Sequence, residues 1–423
     1  MYSSDEDEPD LDLLALLRSH LTLKSNKSPK VDTRALRDAE YIADNAIDVA
    51  LQREHIIEAA DSIWFSMQEK GYSTETWSEH EIHPKEKNEE TLNFIFTLDL
   101  LNFSFWSELN HEKRFSIQYR GKKWTGYWSI VATLQRALDE GIPITSPYFW
   151  VDEQICPDEL LRHVFRSDSE EDIPLLDDRI ACLREAGEVL CKRYDGRFAH
   201  MVTEANESAS ALVMLLAENF PCFDDSHQWV PSGGTARTVH FYKRAQILVA
   251  DIWACFNKTS YGTFNDISTI TMFADYRVPV ILHYLSCLRY SPPLTSHIHN
   301  LIPIPTGHSF EIQIRGCSIW CVEMIKRTIE RRHPESRGRI NSILIDFYLY
   351  DTAKEMEKKA IEREEEEKWR NVEENIPMGD LRRVFGGALE VGKKMRKGGN
   401  WEDRDGVEKG AMIPHHRTRS IWY

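Results

Sequence analysis

The chain has 423 residues, 42% of them hydrophobic and 11% aromatic, enough for a sizeable core in one large or two ordinary domains. Its 52 Lys and Arg against 68 Asp and Glu give a formal net charge of −16, which argues against a general nucleic-acid binder, because such a protein needs basic surface to displace counterions. The acidic start, MYSSDEDEPDLDLL, is no secretory signal, and no run of about eighteen apolar residues offers a membrane span.

These exclusions predict a soluble protein of the cytoplasm, the nucleus remaining open, with no membrane and no stable nucleic-acid partner; they leave oligomeric state undetermined. The eight cysteines form no CxxC pair, so they are expected as buried free thiols of a reducing compartment. Cys317 and Cys321 would stack one helical turn apart, but nothing nearby completes a metal site.

Residues 1–35 read as an acidic disordered tail with a short helix at Leu11–Leu23. Asp32 or Thr33 is expected to cap the first ordered helix, VDTRALRDAEYIADNA. HIIEAADSIWFSMQEKGY continues as helix and stops at Gly71. Residues 90–106, ETLNFIFTLDLLNFSFW, are dense and apolar, with helix and strand unresolved. Alternation on both sides of Arg120-Gly121-Lys122 predicts a β-hairpin, followed by a helix that ends at Gly141.

Residues 155–225 predict several helices, with Pro157 suited to a first turn. WVPSGGTART (229–238) reads as a loop, and HFYKRAQILVADIWACF as an amphipathic helix. ISTITMFADYRVPVILHYLSCLRY predicts two helical pieces broken near Pro279. RGCSIWCVEMIKRTIERR and SILIDFYLYDTAKEMEKKA follow as helices. The division expected is a helical body at 36–352, a charged helical and mobile insertion at 353–410, and a tail at 411–423 that packs back on the body. The fold class is mainly α, a single large helical domain with a small β-hairpin element.

Four polar placements invite chemistry. Asp346 lies in ILIDFYLYD, apolar all round, where an unpaired carboxylate costs several kcal/mol and needs a donor or a purpose. Phe347 and Asp351 are four apart and share a face, so with Asp346 they can border one pocket; an Arg partner or a cap is the alternative. Phe264 and Asp266 flank a helix start, where Asp266 serves either as N-cap or, beside an aromatic ring, as the acceptor that holds a purine-like base. Asp275 and Arg277 read as a structural ion pair. Lys243 and Arg244 begin a long helix against its dipole, which suits either a solvated end or an anion such as phosphate. His80 and His83 in EHEIHP have metal-like spacing without an acidic triad, or form a surface turn.

Taken together, LNFSFW (101–106), YWSIVATLQRALDEGIPITSPYFW (127–150), FYKRAQILVADIW (241–253), ISTITMFADYR (267–277), EIQIRGCSIWCVE (311–323) and ILIDFYLYD (343–351) resemble the queuosine 5′-phosphate N-glycosylase/hydrolase family, also called queuosine salvage proteins. The likeness spans about residues 36–352 and returns at IPHHRTRSIWY. It implies a helical fold akin to DNA glycosylases and hydrolysis of queuosine 5′-phosphate to queuine and ribose 5-phosphate, salvaging the base for tRNA modification. It implies no metal and no organic cofactor. Carried over residue by residue, it places the catalytic carboxylate on Asp346 and substrate contacts on Asp351, Phe347, Phe264, Asp266 and His80, with His83 as rival to His80. Phe347 stands where some relatives have tyrosine. Lys243, with Arg277 and Arg417 behind it, is the expected cation for the 5′-phosphate. The reading from another class is a non-catalytic binder of modified nucleosides, or a tRNA-associated scaffold.

Overall fold

In the computed structural model, residues 31–72, 80–110, 112–375 and 412–423 are described, those from Thr33 onward belonging to one unit. The acidic start, the Leu11–Leu23 helix and the 386–410 stretch lie outside the described residues. The first helices are α1 (Ala35–Asn45), α2 (Arg53–Glu69) and α3 (Glu89–Leu100), with strand β1 (Val49–Leu51) between α1 and α2. Hairpin β2 (Ile117–Tyr119) and β3 (Lys122–Trp124) leads into α4 (Tyr127–Asp139), α5 (Pro147–Val151), α6 (Asp158–Val164), α7 (Leu176–Arg193), α8 (Phe198–Glu204) and α9 (Ala209–Asn219). A second hairpin, β4 (Ser226–Trp229) and β5 (Arg237–His240), precedes α10 (Lys243–Cys255) and α11 (Val278–Tyr284). Strand β6 (Leu288–Tyr290), α12 (Pro292–His299), α13 (Ser309–Arg332) and α14 (Ser342–Asn375) complete the order. The strands form three antiparallel pairs, β1 with β6, β2 with β3 and β4 with β5. The fold is therefore mainly helical, and no described helix is long and apolar enough to cross a membrane.

The first hairpin sits where alternation places it. Tyr119 pairs with Lys122, and Arg120 and Gly121 both take positive φ, 50° and 74°, as a two-residue turn matched to strand twist requires. The ambiguous 90–106 run is helical to Leu100: Asn88 Oδ1 accepts the Thr91 amide at 3.0 Å and starts it. Several local expectations fail. Arg34, with φ 65° and no capping side-chain bond, occupies the cap position of α1 rather than Asp32 or Thr33. Residues 267–277 hold only a short 3-10 turn at Ile267–Thr269, and Pro279 sits in the first turn of the single helix α11 rather than breaking two. The stretch read as a loop at 229–238 is the bend of the second hairpin.

Helices α10 and α13 form the centre. α13 packs against α1, α2, α11 and α14, and α10 against α3 and α9. At the α13–α1 crossing, a Cβ on Gly316 would meet Ile42 Cδ1 at 2.6 Å, so only glycine admits so close an approach. Burial of α10 includes its polar residues Lys243, Arg244, Gln246 and Asp251. Such groups need partners. Arg244 donates to the carbonyls of Leu100 at 2.7 Å and Asp99 at 3.3 Å, and also to that of Cys222, placing a cation at the carbonyl end of α3.

Arg315 on α13 is fully buried. It makes a two-pronged contact with Asp225, Nη1–Oδ1 2.9 Å and Nη2–Oδ2 2.5 Å, and bonds Glu311 Oε1 at 3.1 Å and the Ala274 carbonyl at 3.2 Å. Its guanidinium lies 4.1 Å from the Phe241 ring centre and 4.9 Å from that of Tyr423. Burial alone would raise the pKa of Asp225, but the Arg315 charge overrides it and holds the carboxyl well below the usual range. The C-terminal residues lie on this centre. Trp106 Nε1 donates to the Thr418 carbonyl at 2.8 Å, the Ile304 amide to that of Arg417 at 2.8 Å, and the Ser104 amide to that of Tyr423. Replacing Arg315 by alanine strips the buried Asp225 of its two-pronged cation, leaving it His227 at 3.4 Å and the Lys243 amide at 3.1 Å, and is expected to destabilise the fold by about 3–5 kcal/mol. Chemical denaturation of the purified variant measures this, and a loss below about 1 kcal/mol contradicts the account.

Candidate active site

The first turns of α14 are held in the core by Ile343, Ile345 and Leu349, each fully buried, and Asn341 Oδ1 caps them by accepting the Leu344 amide at 2.9 Å. This leaves Asp346 only 4% exposed. Asp346, Phe347, Tyr350, Asp351 and Lys354 line one cavity of about 390 Å³, as residues at i, i+1, i+4, i+5 and i+8 of one helix face should. Asp351 stands at the exposed end, its Oδ2 accepting the Tyr72 hydroxyl, whose oxygen also lies 3.1 Å from the Phe347 carbonyl.

The opposing wall is the irregular stretch 270–277. Gln246 Oε1 accepts the Thr271 amide at 2.8 Å, Asp346 Oδ2 accepts the Phe273 amide at 2.9 Å, and Arg315 holds the Ala274 carbonyl. Asp275 Oδ1 accepts the amides of Arg277 at 3.0 Å and Val278 at 2.9 Å, capping α11. Phe273 and Asp275 thereby line the cavity opposite Asp346 and Phe347.

The phenylalanine-x-aspartate pair at the cavity is thus Phe273 and Asp275, not Phe264 and Asp266 nine residues earlier. Phe264 packs half-buried against the core. The Asp266 carboxylate is spent on α9, accepting Ser208 Oγ at 2.9 Å and the amides of Ala209 at 2.6 Å and Ser210 at 3.3 Å. It caps that distant helix start rather than the turn that follows it. Arg277 does not pair with Asp275 through its side chain but binds Glu357, and Arg417 faces Glu108 at 3.9 Å. Of the three expected phosphate cations, Lys243 lines the cavity, and Lys354 joins it there from the rim.

The electrostatics of this cavity are dominated by loss of water. Burial raises the pKa of Asp346 far above the usual carboxyl value, and the neighbouring Asp275 charge adds to it. Burial raises Asp275 too, but Lys243 pulls the other way, as do the amides of Val278 and Arg277. Lys243 is itself brought down to about 8 by burial, against the attraction of Asp275. Two adjacent carboxyls of this kind share charge poorly, and one keeps a proton. The two backbone donors and the lysine at Asp275 favour the anion there; Asp346, with one donor, is the better proton holder.

Aromatic rings enclose the remaining space. Phe273 and Phe347 lie 6.1 Å apart. His80 stacks on Trp128 with centroids 3.4 Å apart, and His83 lies 4.8 Å from the same ring. Both histidines line the cavity. Burial lowers the pKa of His80, favouring the neutral ring, and its buried Nδ1 has no hydrogen-bond partner among the described residues. Tyr423 closes one side, its hydroxyl 2.9 Å from His416 Nε2 and its ring 5.8 Å from Lys243 Nζ. No group of three or more metal-ligating side chains occurs among the described residues.

The structure therefore brings together Asp346, Phe347, Asp351, His80 and Lys243, and separates Phe264 and Asp266 from them. Asp275 could have been found by the argument that singled out Asp346, since it too is a carboxylate inside an apolar run, TITMFADY. Asp251 carries the same mark, an acid inside the apolar run ILVADIWACF; Tyr127 and Tyr423 had none, and their placement depends on contacts with remote segments.

Known proteins resemble the chain over most of its length. A family model described as queuosine salvage protein matches residues 82–378. A Schizosaccharomyces pombe protein named queuosine 5′-phosphate N-glycosylase/hydrolase is 44% identical over 334 residues, 78% of this chain and 93% of its own length. Proteins of the same name from Nematostella vectensis and Bos taurus are each 40% identical, covering 76% and 75% of this chain and 93% and 92% of their own. The chain belongs to the queuosine salvage protein family.

Proposed function

We propose that the chain hydrolyses the N-glycosidic bond of queuosine 5′-phosphate, releasing queuine and ribose 5-phosphate, and that Asp275 and Asp346 act on it as a pair. The observation that carries this reading is two buried, mutually repelling carboxyls in an aromatic-walled cavity with a buried lysine beside them. Breaking the C1′–N bond builds positive charge on the ribose. A fixed anion in a dry pocket stabilises that charge far better than water does.

Asp275 supplies the anion, and it takes a proton from the water that attacks C1′. Asp346 carries the other proton and gives it to the departing base; 7-deazaguanine lacks N7, so the proton goes elsewhere on the ring. One C–N bond breaks, one C–O bond forms, and a proton returning from Asp275 to Asp346 restores the pair. This keeps Asp346 catalytic but makes it the acid, where the sequence alone suggested the anion. The base lies among Phe273, Phe347 and the His80–Trp128 stack. Asp351 accepts its N1 and 2-amino protons, the role expected of Asp266; adenine lacks that donor pair, which leaves the acceptor unmet. Lys243 takes the 5′-phosphate.

Asp275→Asn and Asp346→Asn should each fold and lower turnover by at least about 10³-fold, the scale for losing a principal electrostatic group; release of queuine from queuosine 5′-phosphate measures it, and near-normal release by either variant refutes that residue's role. Stability should move the opposite way. Because the folded-state pKa of Asp346 is raised, the unfolded chain loses this proton at lower pH than the folded one, so wild-type stability falls as pH climbs from about 4 towards the folded value. Asparagine cannot ionise and still accepts the Phe273 amide. Thermal melts should show Asp346→Asn gaining steadily on wild type as pH rises above about 4; a constant difference would exclude a buried, proton-holding Asp346. Lys243→Ala should erase preference for the 5′-phosphate over the nucleoside, read as the ratio of kcat/KM values, and an unchanged ratio assigns the phosphate to another cation.

A further inference from the structure

A second acidic group lines the same cavity and takes no part in the bond cleavage described above. Asp251 is 4% exposed and faces the cavity from α10, together with Tyr127, His83 and Asn102. The Tyr127 hydroxyl donates to Asp251 Oδ2 at 3.1 Å, leaving its oxygen to accept from His83 Nε2 at 3.2 Å. Behind Asp251 lies Asp99, fully buried. Asn102 donates to its Oδ1 at 3.3 Å, while Oδ2 has no hydrogen-bond partner among the described residues. The two carboxyls are close enough for Asp251 to raise the pKa of Asp99, after burial the largest influence on it. Arg244, the cation beside Asp99, spends its guanidinium on backbone carbonyls. The two carboxyls concentrate negative potential at this end of the cavity, which favours a cationic group of a ligand.

The position of the group on α10 says where that cation would come from. Lys243, Ile247 and Asp251 are spaced by four and all line the cavity, so one helix face carries a cation at one end and a carboxylate at the other. At 1.5 Å per residue these ends are about 12 Å apart, comparable to the length of a nucleotide. The catalytic carboxyls lie near the lysine end, since Lys243 acts on both Asp275 and Asp346. A substrate with its phosphate at Lys243 and its C1′ at the carboxyl pair therefore directs its base towards Asp251. The queuine base carries, on C7, an aminomethyl group whose secondary amine is protonated at neutral pH.

We propose that Asp251, held by Tyr127 and backed by Asp99, is the acceptor for this secondary ammonium and selects 7-aminomethyl-substituted 7-deazaguanines over bare ones. The inference deepens the reading of the site as a queuosine 5′-phosphate hydrolase and rests on it for the direction of the substrate. A charged hydrogen bond of this kind accounts for roughly ten- to a hundredfold in selectivity.

The test compares wild type with Asp251→Asn on queuosine 5′-phosphate and on 7-deazaguanosine 5′-phosphate, which lacks the amine. The variant should lose about ten- to a hundredfold more kcat/KM on the first than on the second, and Tyr127→Phe should show a smaller loss of the same kind. Equal losses on the two substrates overturn the proposal. Calorimetric binding of free queuine and free 7-deazaguanine makes the same comparison without turnover. A chain that hydrolyses neither nucleotide, yet loses its preference for queuine in Asp251→Asn, refutes the reaction while keeping the subsite. One that hydrolyses both but keeps that preference in the variant refutes the subsite while keeping the reaction. If Asp251→Asn does not fold, Tyr127→Phe decides, with an unaltered preference counting against the proposal.

Discussion

A single buried guanidinium sets the geometry of the site. Arg315 touches three pieces of chain that would otherwise be independent: Asp225 ahead of α10, Ala274 in the irregular wall, and Tyr423 in the C-terminal segment. Asp225 in turn accepts the Lys243 amide at 3.1 Å, at the start of α10. The cation wall and the acid wall of the cavity are therefore referenced to one side chain. Arginine suits this position because its planar fork meets Asp225 with two parallel bonds and still donates to a carbonyl, with both flat faces left for aromatic rings. Lysine offers a point charge and no such plane.

Around that anchor the protein tolerates an arrangement that is poor for stability and useful for chemistry. Asp99, Asp275 and Asp346 are all raised by burial, and Lys243 is lowered. Each departure means that the folded chain holds a group in a less comfortable state than water would. Other buried polar side chains are paired, as with Gln246 against Thr271 and the Arg244 guanidinium against the end of α3. The mutually repelling Asp275 and Asp346 and the lowered Lys243 meet at the cavity, where substrate charge can relieve them.

Most of the helices, the first hairpin and the anomalous burial of Asp346 were legible in the sequence, because each is written in short-range pattern. Period 3.6 marks the helices, alternation about a glycine turn marks the hairpin, and an acid inside an apolar helix is anomalous wherever the helix packs. The pocket formed by Asp346, Phe347 and Asp351 follows from helical spacing alone. Family membership was legible for a similar reason, since it resides in contiguous blocks. Which phenylalanine–aspartate pair meets Asp346 was not. Phe264-Asn265-Asp266 and Phe273-Ala274-Asp275 look alike in one dimension, and neither lies in a regular element that would fix its direction. The choice is made by bonds from remote residues, Gln246, Asp346 and Arg315 to the second segment and Ser208 to the first, none of which local pattern encodes. The meeting of the α10 face that carries Lys243 and Asp251 with Tyr127 and Tyr423 on one cavity is likewise a product of packing, because side chains far apart in sequence become neighbours only when the core has closed.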